Sequence, residues 1–265
     1  MTIKKLLMGL LGCVLATGVF AGSMSNSNYY NDRNGWPVVA TLSVGPAWAR
    51  PGEGQVLTLQ PYVTKSYIPF PMSRSIRLIS TSRGTNTLFT GEFFLGLYGN
   101  INSAVIGQIG LTVGASSQVR TKGLVYEDSN IDFGNFTYSY GVRNVRGAVK
   151  AKMIYDPEFY DVFLYLSGSA GAGYNHSSGF TINSLLAQEI AAPSFSDKSR
   201  SAFSYTLGTG LETLLDDNWR VSLGYEFADW GRSNLGPAIG QTLGNGPHIN
   251  SLRTHELQIG ITYMS

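Results

Sequence analysis

The segment Glu256-Leu257-Gln258-Ile259-Gly260-Ile261-Thr262-Tyr263, close to the end of the chain, decides the fold class. Apolar and polar residues alternate through it, and successive side chains of a β-strand point to opposite faces of the sheet. One face therefore carries large apolar side chains, and the other carries polar or very small ones. The segment predicts a strand whose two faces meet different surroundings.

Seven more segments alternate in the same way. They are residues 38–48, 88–98, 103–116, 136–155, 162–174, 202–215 and 219–230. After residue 21 no stretch approaches the roughly 18 apolar residues that a transmembrane helix requires. The sequence therefore predicts an all-β protein of eight strands.

The connections between these strands fall into two length classes. The tight ones are residues 99–102, 156–161 and 216–218, and the long ones are residues 49–87, 117–135, 175–201 and 231–251. Short periplasmic turns and long extracellular loops are typical of outer-membrane barrels. We therefore expect a transmembrane antiparallel up-and-down β-barrel of eight strands, with both termini on the periplasmic side.

The first long connection leaves the strand number open. Residues 55–60 and 76–80 within it also alternate. They predict either a hairpin that rises above the membrane or two extra strands of a ten-stranded barrel.

The composition agrees with strands that face something other than water. Charged residues make up 14% of the 265-residue chain, well below the roughly 25% of soluble domains. The chain begins with Lys4 and Lys5, an apolar run over residues 6–20 and a small residue, Ala21, which together predict a cleaved secretory signal peptide over residues 1–21. A polar leader, residues 22–36, and one barrel domain, residues 37–265, would follow.

Removal of that peptide leaves a chain without net charge. It takes away two Lys and no acid, which lowers 19 Lys+Arg to 17 against 17 Asp+Glu. A neutral chain gives no electrostatic reason to expect nucleic acid as a partner. It also takes away Cys13, so we expect a mature protein without disulfides.

Aromatic residues cluster near both ends of the predicted strands. Near the short turns lie Tyr98, Tyr155, Phe159, Tyr160, Trp219 and Tyr263, and near the long loops lie Trp48, Phe136, Tyr138, Phe203 and Trp230. Aromatic girdles mark the two membrane–water boundaries of such barrels. We expect these side chains to form the two girdles.

Charged residues within the strands share the face opposite to the apolar side chains. They are Glu92, Arg146, Lys150, Lys152, Glu212, Glu226 and Glu256. A charge that faces hydrocarbon is costly, so these side chains should face the lumen. An eight-stranded barrel is just wide enough for side chains to fill it. We expect ion pairs that plug the interior.

Three stretches of the chain resemble a known family. They are Thr90-Gly91-Glu92-Phe93-Phe94-Leu95-Gly96-Leu97, Gly224-Tyr225-Glu226-Phe227-Ala228-Asp229-Trp230-Gly231 and Leu257-Gln258-Ile259-Gly260-Ile261-Thr262-Tyr263. They resemble opacity-type outer-membrane proteins, which have a small OmpA-like or Opa-like eight-stranded barrel. The resemblance implies a surface protein in adhesion, envelope integrity or host contact, with no catalytic residues to carry over. The terminal Phe of that group is absent, so recognition by the barrel assembly machinery would depend on Tyr263.

Candidate catalytic residues are few. His176 and Ser178 have the two-residue spacing found in lipid A deacylases. In this chain His176 could deprotonate Ser178, and Glu189 could orient the imidazole. The Asn expected after that Ser is replaced by Gly179. Asp229 and His248 are an incomplete set for an omptin-like protease.

One compact motif lies at the predicted extracellular rim. In residues 229–233 we expect Trp230 to anchor at the rim and Gly231 to let the strand bend. The alternative is that this motif shapes the mouth or contacts a ligand. No cluster has the spacing of metal ligands.

The sequence therefore predicts a monomeric outer-membrane barrel with a structural and surface-interaction role and no catalysis, cofactor or metal. Its expected partners are outer-membrane lipids, lipopolysaccharide, the barrel assembly machinery and a host or surface ligand bound by the loops. Two alternatives remain, a small passive channel and a lipid A deacylase that uses His176 and Ser178.

Overall fold

The computed structural model describes residues 37–49, 55–59, 74–80, 86–127, 136–156, 162–185, 194–238 and 246–265. In chain order its strands are β1 (Val38–Ala49), β2 (Gln55–Leu59), β3 (Arg74–Ser80), β4 (Asn86–Asn102), β5 (Val105–Ser116), β6 (Val119–Glu127), β7 (Phe136–Tyr155), β8 (Val162–Ser184), β9 (Lys198–Leu214), β10 (Trp219–Asp229), β11 (Ser233–Asn234), β12 (His248–Ile249) and β13 (Arg253–Met264). No helix in these ranges is long and apolar enough to span a membrane. The predicted signal peptide, residues 1–21, and the leader, residues 22–36, lie outside the described residues.

Eight strands pair in a closed antiparallel ring. Around the ring their order is β1, β4, β5, β7, β8, β9, β10 and β13, and β13 pairs with β1 again. Because β7 pairs with both β5 and β8, no strand of the ring has an open edge. The eight-stranded barrel is confirmed, and the two extra strands of the ten-stranded alternative, β2 and β3, lie outside the ring.

The last strand of the ring, β13, shows why the sequence adopts this fold. Its residues alternate strictly between exposed and buried. Ile259 points outward with 57% of its surface exposed, whereas Glu256 and Thr262 point inward and are buried. The period of two in the sequence is therefore the period of the barrel wall.

An apolar belt encircles the barrel. At mid-height every strand of the ring exposes an aliphatic side chain, with 49% to 68% of its surface accessible. The eight are Leu42, Leu95, Leu111, Val149, Leu166, Leu207, Leu223 and Ile259. Soluble proteins rarely expose a continuous apolar surface of this extent, so the belt is a surface suited to hydrocarbon.

The short connections lie at one end of the barrel. β4 runs to Asn102, so the first turn is Ser103–Ala104 and not residues 99–102 as predicted. The β9–β10 turn lies at residues 215–218, and both chain ends of the barrel meet at this end, where Val39 pairs with Met264. This is the short-turn end, as the sequence predicted.

Several strands extend beyond the opposite end of the belt. β7 has 20 residues and β8 has 23, against the roughly 9–11 that cross a membrane. β6 pairs with residues 136–142 of β7, β3 pairs with β6, and β2 pairs with β3. We call this sheet the extension. It comprises β2, β3, β6 and the parts of β7 and β8 that lie beyond the belt.

The extension corrects the predicted loop bounds. Residues 119–127, predicted as part of a long loop, form β6, and residues 175–184 belong to β8 and not to a loop. Residues 55–59 and 74–80 pair as a hairpin outside the ring, which confirms the hairpin alternative. The strands are longer than predicted because their pairing continues past the belt.

One face of β7 changes character along its length. Above the belt its inward side chains are apolar or aromatic, from Phe136 to Val142. At belt height they are polar or charged from Asn144 to Lys152, apart from the small Ala148, and Ile154 closes the short-turn end. The outward face changes in the opposite sense, from Arg143 to Val145. The upper boundary of the belt therefore crosses β7 at residues 143–145.

Candidate functional site

The charged residues of the lumen form two clusters. In the upper cluster, Arg146 Nη2 donates to Glu92 Oε2 at 2.6 Å and to Glu226 Oε1 at 2.7 Å. Lys150 Nζ donates to Glu226 Oε2 at 2.7 Å and also to Glu92. Two cations and two carboxylates thus bridge the lumen between β4, β7 and β10, as the alternation predicted.

The lower cluster centres on Glu212. Its carboxylate accepts hydrogen bonds from Lys152 and, at 3.0 Å, from Arg220 Nη1. Lys152 also lies over the ring of Tyr165, with its ammonium 4.3 Å from the ring centroid. Sequence reasoning missed Arg220, although its register with Glu226 on β10 places both side chains on the inward face.

Glu256 is the fourth inward carboxylate. It accepts hydrogen bonds from Thr254 Oγ1 at 2.6 Å and from Gln258 Nε2 at 2.9 Å. Four inward acids therefore match four inward bases in the described lumen. A buried charge that loses its partner is costly. The ion pairs within each cluster therefore hold their strands together across the lumen.

These clusters leave little free space. The cavity beside Glu92, Lys150 and Tyr165 has a volume of about 30 Å³, which is room for about one or two water molecules. A continuous aqueous path would require the ion pairs to separate. The prediction that opposite charges pair in the interior is confirmed.

Trp230 forms a layer above the charges. It is 1% exposed, its Nε1 donates to Thr254 Oγ1 at 2.9 Å, and the Arg146 guanidinium lies 4.7 Å from its ring centroid. Leu235 and Leu252 pack in the same buried cluster. The mouth of the barrel is therefore closed by apolar side chains as well as by ion pairs.

The position of Trp230 corrects the predicted upper girdle. Trp230, Phe136 and Tyr138 point inward and are buried, whereas Trp48 and Phe203 are exposed as predicted. The physical reason is that the chain at the first three lies above the belt, where the outside is polar and aromatic side chains pack inward.

The predicted lower girdle is only partly seen. Tyr155, Trp219 and Tyr263 are exposed near the short-turn end. Tyr98 instead turns inward, and its hydroxyl donates to the Ser265 carbonyl at 2.8 Å. Phe159 and Tyr160 lie outside the described residues.

The turn after β10 directs the chain into the mouth. Gly231 has a φ of +79°, a conformation that glycine adopts without strain. Its amide donates to Asp229 Oδ1 at 2.8 Å, and Ser251 Oγ donates to Asp229 Oδ2 at 2.6 Å. The predicted bend at Gly231 is confirmed, but Trp230 packs in the mouth and does not anchor at a lipid-facing rim.

The His176–Ser178 pair lies in strand β8 and not in a loop. His176 Nδ1 is 2.8 Å from the hydroxyl of Ser199. Ser178 lies opposite Gly141 of β7. The structure therefore pairs His176 with Ser199, and Glu189, the third residue of this hypothesis, lies outside the described residues.

The residues of the protease hypothesis are engaged separately. The Asp229 carboxylate is bound by Gly231 and Ser251, and Arg253 Nε lies 3.5 Å from it. The main chain of His248 pairs with the side-chain amide of Gln55. Across the described ranges no group of three or more His, Cys, Asp or Glu could hold a metal ion.

Aromatic residues form the core of the extension. Tyr138 stacks on Phe180 with ring centroids 6.1 Å apart, and Phe180 meets Phe195 edge-on at 5.0 Å. Burial raises the pKa of the Tyr138 hydroxyl to about 12 and also raises the pKa of Tyr140. Both phenols therefore stay neutral in the folded extension.

Comparison with known proteins matches this chain to solved structures at low sequence identity. No protein-family model matches this chain, and no curated protein matches it. Neisserial surface protein A is 13% identical over 85% of this chain and 96% of its own, with a TM-score of 0.42. The outer membrane protease OmpT from Escherichia coli is 9% identical over 86% and 97%, with a TM-score of 0.42. Ail, the attachment invasion locus protein of Yersinia pestis, is 14% identical over 86% and 98%, with a TM-score of 0.32.

Proposed function

We propose that this protein is an integral outer-membrane barrel with a structural and surface-interaction role, exercised through the part of the chain above the belt. One observation carries the proposal. The interior is filled by ion pairs and capped by Trp230, while β2, β3, β6, β7 and β8 build a folded sheet beyond the apolar belt. The parts of the strands beyond the belt thus form the extension, and the interior of the barrel holds side chains and not an open passage.

The orientation follows from the two ends of the barrel. The short turns and both barrel termini lie together at one end, which outer-membrane barrels keep on the periplasmic side. The extension then faces outward from the cell. The same proposal has residues 1–21 act as the signal peptide that directs export.

The partners belong to this proposal too. The belt would contact membrane lipids and lipopolysaccharide, and the barrel assembly machinery would insert a monomer. A host or surface ligand would bind the exposed end, and nucleic acid has no part in the function. Catalysis has no part in the function either, because His176, the histidine of the deacylase hypothesis, bonds to Ser199 and not to Ser178.

Two measurements test the barrel and its closed lumen. Outer-membrane fractions run on SDS gels without boiling should give a faster band that shifts on heating. The purified barrel in planar bilayers should give no conductance steps, with a general porin as the positive control. Regular conductance steps would contradict the closed lumen and favour the passive channel.

A pair of epitope tags tests the orientation. A tag inserted between residues 130 and 131, in the connection from β6 to β7, should bind antibody on intact cells. A matched tag in the turn at residues 215–218 should bind antibody only after the outer membrane is permeabilised. The reverse labelling would overturn the outward placement of the extension.

A further inference from the structure

A second cavity lies at the extension end of the barrel, where β9, β11 and β12 meet. Its volume is about 190 Å³. Its polar lining includes Arg200, Arg232, Ser233, Asn234 and His248. It is separate from the ion pairs of the lumen, none of which contributes to its walls.

The lining is cationic. It includes two arginines and no Asp or Glu. In the described part of the chain neither Arg200 nor Arg232 forms an ion pair. Asp229, close by in sequence, is bound by Gly231 and Ser251 instead. The positive charge of the cavity is therefore left without a protein counter-charge among the described residues.

The walls are held by the protein itself. Asn234 Oδ1 accepts a long hydrogen bond from Arg200 Nη1 at 3.4 Å. The Gln55 side chain bonds the main chain of His248, another residue of the lining. Ser233 is 1% exposed, and its hydroxyl has no hydrogen-bond partner in the described ranges. Its oxygen has almost no accessible surface, so it does not face the open space of the cavity.

We propose that this cavity binds a phosphate group through the guanidinium groups of Arg200 and Arg232. Guanidinium groups bind the oxygens of phosphate with paired charge-assisted hydrogen bonds. The volume admits one phosphate group and the first atoms of its carrier, which is either a lipid headgroup or a soluble phosphate ester. This inference names a ligand class for the surface interaction and rests on the proposed function.

Titration calorimetry with inorganic phosphate tests the site. The full barrel, folded in neutral detergent, should bind phosphate saturably. Arg232→Gln should weaken binding about tenfold, since it removes a charged hydrogen-bond donor. Arg143→Gln is the matched control, because Arg143 is an exposed arginine of β7 that does not line the cavity, and it should leave binding unchanged.

Arg200→Gln provides a second variant in the same cavity. It should weaken phosphate binding while the heat-dependent gel shift stays intact. The proposal is overturned by an absence of saturable binding to the wild-type barrel, or by equal losses in Arg232→Gln and Arg143→Gln, which would indicate general charge attraction.

Vesicles distinguish the two sources of phosphate. The barrel is refolded into phosphatidylcholine vesicles with and without lipopolysaccharide, and phosphate binding is measured in both. Competition by lipopolysaccharide assigns the site to a lipid headgroup, and unchanged binding assigns it to a soluble ester. A barrel that shifts on heating and does not conduct yet binds no phosphate would refute the site alone and leave the proposed function standing.

Discussion

The guanidinium of Arg146 lies 4.7 Å from the ring centroid of Trp230. This contact joins the highest charge of the lumen to the apolar layer above it. The cation is paired below with Glu92 and Glu226 and covered above by an aromatic face, an arrangement that strengthens as water is excluded. The closed interior therefore depends on Trp230 as much as on the ion pairs.

Trp230→Ala should destabilise the barrel by about 3–5 kcal/mol, the usual cost of truncating a buried aromatic side chain. Urea unfolding in lipid vesicles measures the change. Trp230→Phe should cost less, because the ring over Arg146 remains while the hydrogen bond to Thr254 is lost. A loss for Trp230→Ala no larger than that for the exposed Trp219→Ala would contradict the buried position.

Ile259→Arg should cost about 2–4 kcal/mol, because a cation at mid-belt faces hydrocarbon. Gln258→Arg, on the neighbouring inward position, should cost less, since the new guanidinium lies beside Glu256. Both are measured by unfolding in vesicles. Equal costs would show that the two faces of β13 are assigned wrongly.

Glu212→Gln removes the one carboxylate shared by Lys152 and Arg220. Removing a carboxylate that two buried cations share should cost about 3–5 kcal/mol. Asp217→Asn in the exposed β9–β10 turn is the control and should change the free energy of unfolding by less than about 0.5 kcal/mol. Similar values for both variants would mean that the lower cluster contributes little.

Gly231→Ala places a Cβ 2.5 Å from the Phe203 carbonyl oxygen at a φ of +79°. A non-glycine residue in this conformation costs about 1–3 kcal/mol, and the contact adds to it. At Gly147 a Cβ meets nothing within 4 Å, so Gly147→Ala should be nearly neutral. Thermal unfolding of the two variants gives the comparison, and a neutral Gly231→Ala would refute the bend.

Alkaline pH should open the extension before the barrel. Since burial raises the pKa of Tyr138 from 10.0 to about 12, its stabilising effect is complete below pH 10.0 and is lost as the pH rises through about 12. Near-ultraviolet circular dichroism should therefore change over this interval while the barrel keeps its heat-dependent shift. Tyr138→Phe should reduce the transition, and an unchanged transition would exclude Tyr138 as its source.

The alternation of the sequence was sufficient to predict the ring. In β13 and at belt height in β7 the outside is apolar, so large apolar residues point outward and charges such as Arg146 and Lys150 point inward. Arg220, which the sequence analysis did not assign, lies on β10 between two residues of the outward face, Trp219 and Val221. The same period would have placed it.

The wrong predictions concern the chain above the belt. There the surroundings of the outer face change from hydrocarbon to water, and Phe136, Tyr138 and Trp230 turn inward. Alternation tells which residues share a face, but not which face meets which solvent. The second cavity was also beyond sequence reasoning, because pairing of β11 with β12 brings Asn234 and His248 together from positions far apart in the chain.

The bulge in β8 bears on how such a chain can change in length. Between Ser178 and Thr181, β8 holds one residue more than the facing part of β7, and Gly179 absorbs it at a φ of +68°. Without that glycine, one added residue would send every later side chain to the wrong face. Insertions and deletions in these strands should therefore survive in evolution as pairs of residues, or singly beside a new glycine.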